Sequence, residues 1–176
     1  MFIKKFFFLC FILNFFSFSY ADDKIGYIDM DFILTQSNAS KSLFNQFKII
    51  EETQIEEFKN KEKKLKNIEN KILNSKNILL SEEYKKKVNV FKKNLADYQN
   101  EKNQTVLNLK KKQKNEIMRF IRLISPLINE YMDKNSIGIL IEKKNIFIAK
   151  SNYDITSNIL EIINSEIKEF KILDEQ

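Results

Sequence analysis

Within its 176 residues the chain carries 30 lysines and arginines against 24 aspartates and glutamates, a net charge of +6, with no histidine, one cysteine, two glycines and one proline. The lack of histidine removes imidazole bases and the commonest zinc ligands, and a lone cysteine cannot form a disulfide framework. Two glycines leave no phosphate-cradling loop, and the length suits one domain or one small body with a large elaboration.

The N-terminus comes first. Lys4 and Lys5 precede an apolar run from Phe6 to Phe16, and Ser19-Tyr20-Ala21 puts small residues at the −3 and −1 positions before Asp22-Asp23. A basic start, a short apolar stretch and small residues at the cut make a secretory signal peptide over residues 1–21, cleaved after Ala21. The run is shorter than the roughly 18 to 20 apolar residues of a membrane span. Cys10 follows Leu9, where a lipoprotein site would want a small residue, so it reads as one more hydrophobe of the leader. The mature chain then has no cysteine and belongs in an envelope compartment.

Charge is unevenly spread. Residues 41–122 hold 21 basic and 11 acidic side chains, a net of +10, while the rest of the mature chain carries −6. A cationic middle between acidic ends follows.

After the leader, Lys24-Ile25-Gly26-Tyr27-Ile28-Asp29-Met30 alternates as a half-buried strand does. Asp29 or Asp31 can cap a short helical piece through Phe32, Ile33 and Leu34, and Asn38-Ala39-Ser40 reads as a break with Ser40 as the next cap. From Lys41 to Leu80 there is neither glycine nor proline. Phe44, Phe58, Leu65, Ile72 and Leu79 fall on a seven-residue lattice that Glu51 interrupts, with Phe47, Gln54, Lys61, Ile68 and Ser75 at the companion position. This is a thin coiled-coil seam that needs a partner helix. The partner starts at Ser81, an N-cap followed by Glu82 and Glu83. It continues through Tyr84, Val88, Phe91, Leu95 and Tyr98, slips near Thr105 to Leu109, and resumes at Ile117, Phe120, Ile124, Leu127 and Tyr131. Two helices of roughly 40 residues make an arm on the order of 55 to 60 Å long. Pro126 either kinks a continuous helix or opens a new one capped by Ser125; the kink is the favoured reading. Ile137–Ile141 and Ile146–Ala149 read as two strands of a hairpin turned at Glu142-Lys143-Lys144-Asn145. Asp154-Ile155-Thr156 leads into an amphipathic helix bearing Ile159, Leu160, Ile162, Ile163, Ile167 and Phe170.

The fold class is therefore α+β and mostly α. A long antiparallel helical hairpin, residues 41–133, is inserted in a small β/α body made from both chain ends, residues 22–40 and 134–176.

Catalytic constellations are wanting. Glu51-Glu52, Glu56-Glu57 and Glu82-Glu83 are helix-surface neighbours interleaved with lysine, which is the pattern of solvated charge. No enzyme, cofactor or metal is expected. The runs Lys61-Glu62-Lys63-Lys64, Lys85-Lys86-Lys87 and Lys110-Lys111-Lys112 invite nucleic acid, but the export signal and the lack of a reader module speak against it. Anionic lipid, lipopolysaccharide or acidic polypeptide suits a basic arm in the envelope better. Ile50, Ile55 and Ile78 lie off the seam and form the candidate apolar contact face.

Four segments together resemble the Skp/OmpH family of periplasmic chaperones: the opening Lys24–Met30, the tip Leu79-Leu80-Ser81-Glu82-Glu83, the closing hairpin Ile139–Glu142 and Ile146–Ala149, and Tyr153-Asp154-Ile155-Thr156. The resemblance covers essentially the whole mature chain. It implies a homotrimer, an intersubunit β-barrel body, and three arms around a cavity that holds unfolded outer-membrane proteins in the periplasm without ATP. Ile50, Ile55, Ile78, Lys85, Lys86, Lys87, Lys110, Lys111 and Lys112 are then the candidate client contacts. The residues leave a second reading open, a structural or adaptor coiled coil bridging envelope components.

Overall fold

A computed structural model describes residues 24–76 and 80–173. The leader, with its cleavage point, and the tip residues Ile78 and Leu79 lie outside the described residues.

Strand β1 (Lys24–Ile28) runs into helix α1 (Met30–Gln36). Of the two aspartates proposed as its cap, Asp29 does the work: its carboxylate accepts the Phe32 N–H at 2.9 Å. The next break falls at Ser37, three residues earlier than expected, and α2 (Asn38–Asn74) starts there. Ser37 is the cap in place of Ser40. Its Oγ accepts the Ser40 N–H at 3.3 Å, while the Ser40 hydroxyl donates back to the Ile33 carbonyl at 3.2 Å. Both serines are fully buried, so the turn between α1 and α2 is held by hydroxyls inside the core.

Helix α3 (Ser81–Lys134) returns antiparallel to α2. Ser81 is its first residue; Leu80 occupies the cap position and supplies no side-chain hydrogen bond, so the expected serine cap is not made. The helix passes unbroken through Pro126, which excludes the restart capped by Ser125. Ser125 instead donates to the Ile121 carbonyl at 2.7 Å.

The seam differs from its sequence reading on both helices. Phe47 is buried and Ile50, Gln54, Phe58, Lys61 and Leu65 are half-buried, whereas Glu51 is exposed. The inward face therefore steps 47, 50, 54, 58, with two successive spacings of four, and Ile50 lies on it. Glu51 does not interrupt the lattice; the lattice shifts by one position to pass it. On α3 the half-buried positions continue through Thr105, Leu109 and Lys112 to the buried Glu116, so the heptad spacing holds where a slip was expected. Its occupants there are mostly polar. The extra four-residue steps come later, at Glu116, Phe120 and Ile124.

Strand β2 (Ile137–Glu142) pairs with β1 in parallel, with Tyr27 opposite Ile141. The expected hairpin is not formed. Lys143–Asn145 closes into a 3-10 turn, Lys143 Nζ is drawn to the Asp29 carboxylate at 3.0 Å, and Ile146–Ala149 leaves without a strand partner among the described residues. Apolar β-branched composition marks a segment able to pair, but pairing also needs a backbone within reach. Helix α4 (Thr156–Glu166) stops before Ile167, so Phe170 reaches the core from an extended tail and not from the helix.

One core joins these pieces. Ile28, Ile33, Leu43 and Phe47 from the N-terminal half meet Phe120, Ile124, Ile128, Ile159 and Ile163 from the C-terminal half. The body and the root of the arm are thus one packed unit, and the distal arm rests on its two-helix seam alone.

Candidate functional site

Grooves open along the arm where the seam is thin, a distal and a proximal one among them. The distal one, about 340 Å³, has an apolar floor of Ile68 and Ile72 on α2 and Val90 and Phe91 on α3. Lys71, Lys86 and Lys87 stand around it with Asn94, and no carboxylate lines it. None of these three lysines is ion-paired among the described residues, whereas Lys85, outside the groove, has Glu82 at 3.6 Å. Ile68 and Val90 are exposed because one turn of two-helix packing cannot cover both edges of the seam.

The proximal groove, about 450 Å³, lies where α2 changes register. Gln54, Ile55 and Phe58 face Val106, Leu109, Lys110 and Gln113 across it. The one-position shift of α2 and the polar seam residues opposite leave the helices without interlocking apolar side chains there, and the gap is the result.

At the tip-side wall of the proximal groove, which Phe58, Glu62 and Lys102 also line, the helices are joined by polar contacts. Phe58 and Tyr98 meet edge to face at 6.0 Å, the Tyr98 hydroxyl donates to Glu62, and Lys102 Nζ lies 2.9 Å from the same carboxylate. Lys61 pairs with Glu101. The Tyr98 hydroxyl and then Lys102 hold the Glu62 carboxyl below its ordinary value. Partial desolvation and then Glu62 push the Tyr98 phenol up, and Lys102 is raised chiefly by its hydrogen bond to Glu62.

The proposed contact residues separate accordingly. Lys86 and Lys87 line the distal groove; Ile55 and Lys110 line the proximal one. Ile50 is half-buried against the core of the root, Lys111 is exposed and Lys112 half-buried beyond the grooves, and Ile78 lies outside the described residues. Lys71 and Phe91 line the distal groove as well and are not among the candidate contacts read from the sequence. Phe91 was assigned wholly to the seam, and Lys71 sits alone in sequence, without the run that marked the others.

A third apolar surface lies on the body. Phe147 and Ile148 are almost wholly exposed, Ile25 and Ile139 are half-exposed, and a hollow of about 490 Å³ runs between Ile25, Tyr27, Ile141, Ile146 and Ile148. The outer edge of β2 has no strand beside it among the described residues. Among those residues, no helix is long and apolar enough to cross a membrane.

A search of curated proteins gives no match. Among solved structures, a candidate outer membrane chaperone, OmpH-like, from Caulobacter crescentus superposes with a TM-score of 0.79 at 12% identity, covering 86% of this chain and 90% of that one. At that identity the likeness shows the fold. The model of the family described as outer membrane protein, OmpH-like, matches residues 24–163, nearly all of the described chain, and the chain belongs to that OmpH-like family.

Proposed function

We propose that the chain is an ATP-independent holdase, exported to the periplasm, that binds unfolded outer-membrane proteins and keeps them from aggregating. The distal groove carries this reading: an apolar floor ringed by Lys71, Lys86 and Lys87, with no carboxylate to neutralise them. Such a site takes apolar side chains from a segment that also bears acidic groups. The net positive arm accelerates capture by long-range attraction. Shallow grooves with flexible lysine rims give many weak contacts, which suits a range of clients better than one deep pocket does.

In this reading three copies join through their bodies. Phe147, Ile148, Ile25 and the free edge of β2 are then covered by neighbouring subunits, and the arms enclose a cavity. The fold shared with the Caulobacter crescentus protein supports the same function. Lys85, Lys111 and Lys112 add to the field without lining a groove, and the lysine rims also suit anionic lipid or lipopolysaccharide.

The test is light scattering from an outer-membrane β-barrel protein diluted out of urea. The parent suppresses aggregation at low salt, and Lys71→Glu/Lys86→Glu/Lys87→Glu weakens the apparent affinity by about tenfold or more, a gap that narrows as salt screens it. A parent that leaves aggregation unchanged at low salt overturns the proposal.

A further inference from the structure

The tail after α4 is seated by side chains of both arm helices, and it lies beyond residue 163, where the family match ends. The Gln46 side-chain amide on α2 donates to the Phe170 carbonyl at 2.7 Å and accepts the Ile172 N–H at 3.0 Å, as the edge of a strand would. On α3, Arg119 lies over the Phe170 ring with its guanidinium carbon 3.9 Å from the centroid, and it donates to the Lys171 carbonyl. Phe120 meets the same ring edge to face at 5.5 Å. Among the described residues, Gln46 and Arg119 are the only hydrogen-bond partners of the backbone from Lys168 to Leu173.

The polar walls of this cleft are set without the tail. The Gln46 amide nitrogen lies 3.2 Å from the Ser42 carbonyl, and the buried Glu116 carboxylate holds Arg119 through Nε at 2.7 Å. Each support comes from the same helix one turn away, so the site is preorganised. It reads main chain at Phe170, Lys171 and Ile172, together with one aromatic ring and an aliphatic side chain two residues on. Phe170 is buried and Ile172 half-buried, while Glu169, Lys171 and Leu173 are exposed. An extended segment with an aromatic and an aliphatic residue two positions apart meets the same requirements. Transmembrane β-strands alternate in that way, and the tail has the form of a short piece of one.

We propose that the cleft binds an aromatic-x-aliphatic segment of an unfolded barrel strand, and that residues 168–173 occupy it as a built-in stand-in which such a segment displaces. The nature of the ligand rests on the client-holding reading. A tethered occupant competes at an effective concentration on the order of millimolar, so dilute free peptide is kept out. A client seated in the distal groove is in a different position. Ile68 and Gln46 are about 33 Å apart along α2, a span of about ten extended residues. The next segment of that client therefore meets the cleft at an effective concentration comparable to the tail's own. The tail admits segments of a held client and refuses stray peptides.

Fluorescence anisotropy of a labelled peptide with the sequence of residues 168–173 tests the site on the full mature chain. Phe170→Ala withdraws the ring from the cleft, and this variant is expected to bind the peptide at least tenfold more tightly than the parent does. Adding Gln46→Ala/Arg119→Ala, or replacing the peptide's phenylalanine by alanine, is expected to abolish that gain. Equal affinities for the parent and Phe170→Ala, with the parental helical circular dichroism retained, overturn the proposal. If Phe170→Ala loses that circular dichroism, the parent alone decides. Unfolded barrel protein diluted out of urea is then expected to speed exchange of its Ile172 amide by about tenfold or more. Exchange left unchanged while aggregation is suppressed overturns the cleft and leaves the holdase standing. Tight peptide binding by Phe170→Ala beside a parent that suppresses no aggregation does the reverse.

Discussion

Asp29 shows how much one carboxylate does in a body this small. It caps α1 through the Phe32 N–H and binds Lys143, and the cap, more than the lysine, keeps its carboxyl below the ordinary 3.8. The backbone N–H of Asp29 donates in turn to Thr156 Oγ1 at 2.9 Å, so the first residue of α4 is tied to the end of β1. A pKa lowered by folding means that the charged form stabilises the fold above the ordinary carboxylate range, and that this contribution is lost as pH falls through the lowered value. Asp29→Ala is expected to cost about 1 kcal/mol at neutral pH. In urea melts the gap from the parent then shrinks as pH drops below 3.8. A gap that persists undiminished through that range would assign the loss to the side chain's bulk and not to its charge. The sequence narrowed this cap to two aspartates and could go no further, because Asp31 is equally near the start of α1 and only the folded backbone decides between them.

At the level of the helix, the seam makes the sharper prediction. Ile50 and Glu51 are neighbours with opposite assignments: the heptad count puts Glu51 inside, the fold puts Ile50 there. Ile50→Ala is expected to lower stability by about 1 to 2 kcal/mol, since a half-buried side chain loses part of its burial, while Glu51→Ala stays within about 0.5 kcal/mol. Thermal melts followed by circular dichroism of the two variants decide it, and equal effects would return Glu51 to the seam. The existence of the helical hairpin was legible from periodicity, because helix formers and apolar spacing agree over dozens of residues. Its local register was not, since Phe44 and Phe58 fit a lattice that the chain leaves between them. Ile146–Ala149 was misread for a different reason. Its side chains satisfy the rule for a strand, but among the described residues no backbone lies beside it to pair with, and composition alone carries no information on that. The tail was hidden more deeply still, because Phe170 continues the apolar pattern of α4 and only the end of the helix at Glu166 gives it another role.

For the whole molecule, the exposed body surface is what the proposed assembly rests on. Phe147→Asp places a charge on a side chain that is wholly exposed in the single chain and central to the proposed contact between subunits. Sedimentation equilibrium is expected to find the parent as a trimer and the variant shifted toward monomer, with the same helical circular dichroism. A parent that sediments as a monomer would leave the arms with nothing to enclose. The parallel pairing of β1 and β2 adds a consequence for the order of folding. Tyr27 and Ile141 are more than a hundred residues apart in the chain, so closing the sheet directly would cost the loop entropy of the entire arm. Zipping α2 onto α3 from the tip brings the two ends together first and shortens the loop that remains. The arm is in this sense the assembly jig of the body. A tip too weak to nucleate would show itself in unpaired strands at the opposite end of the molecule, slow to close and exposed to other chains while they wait.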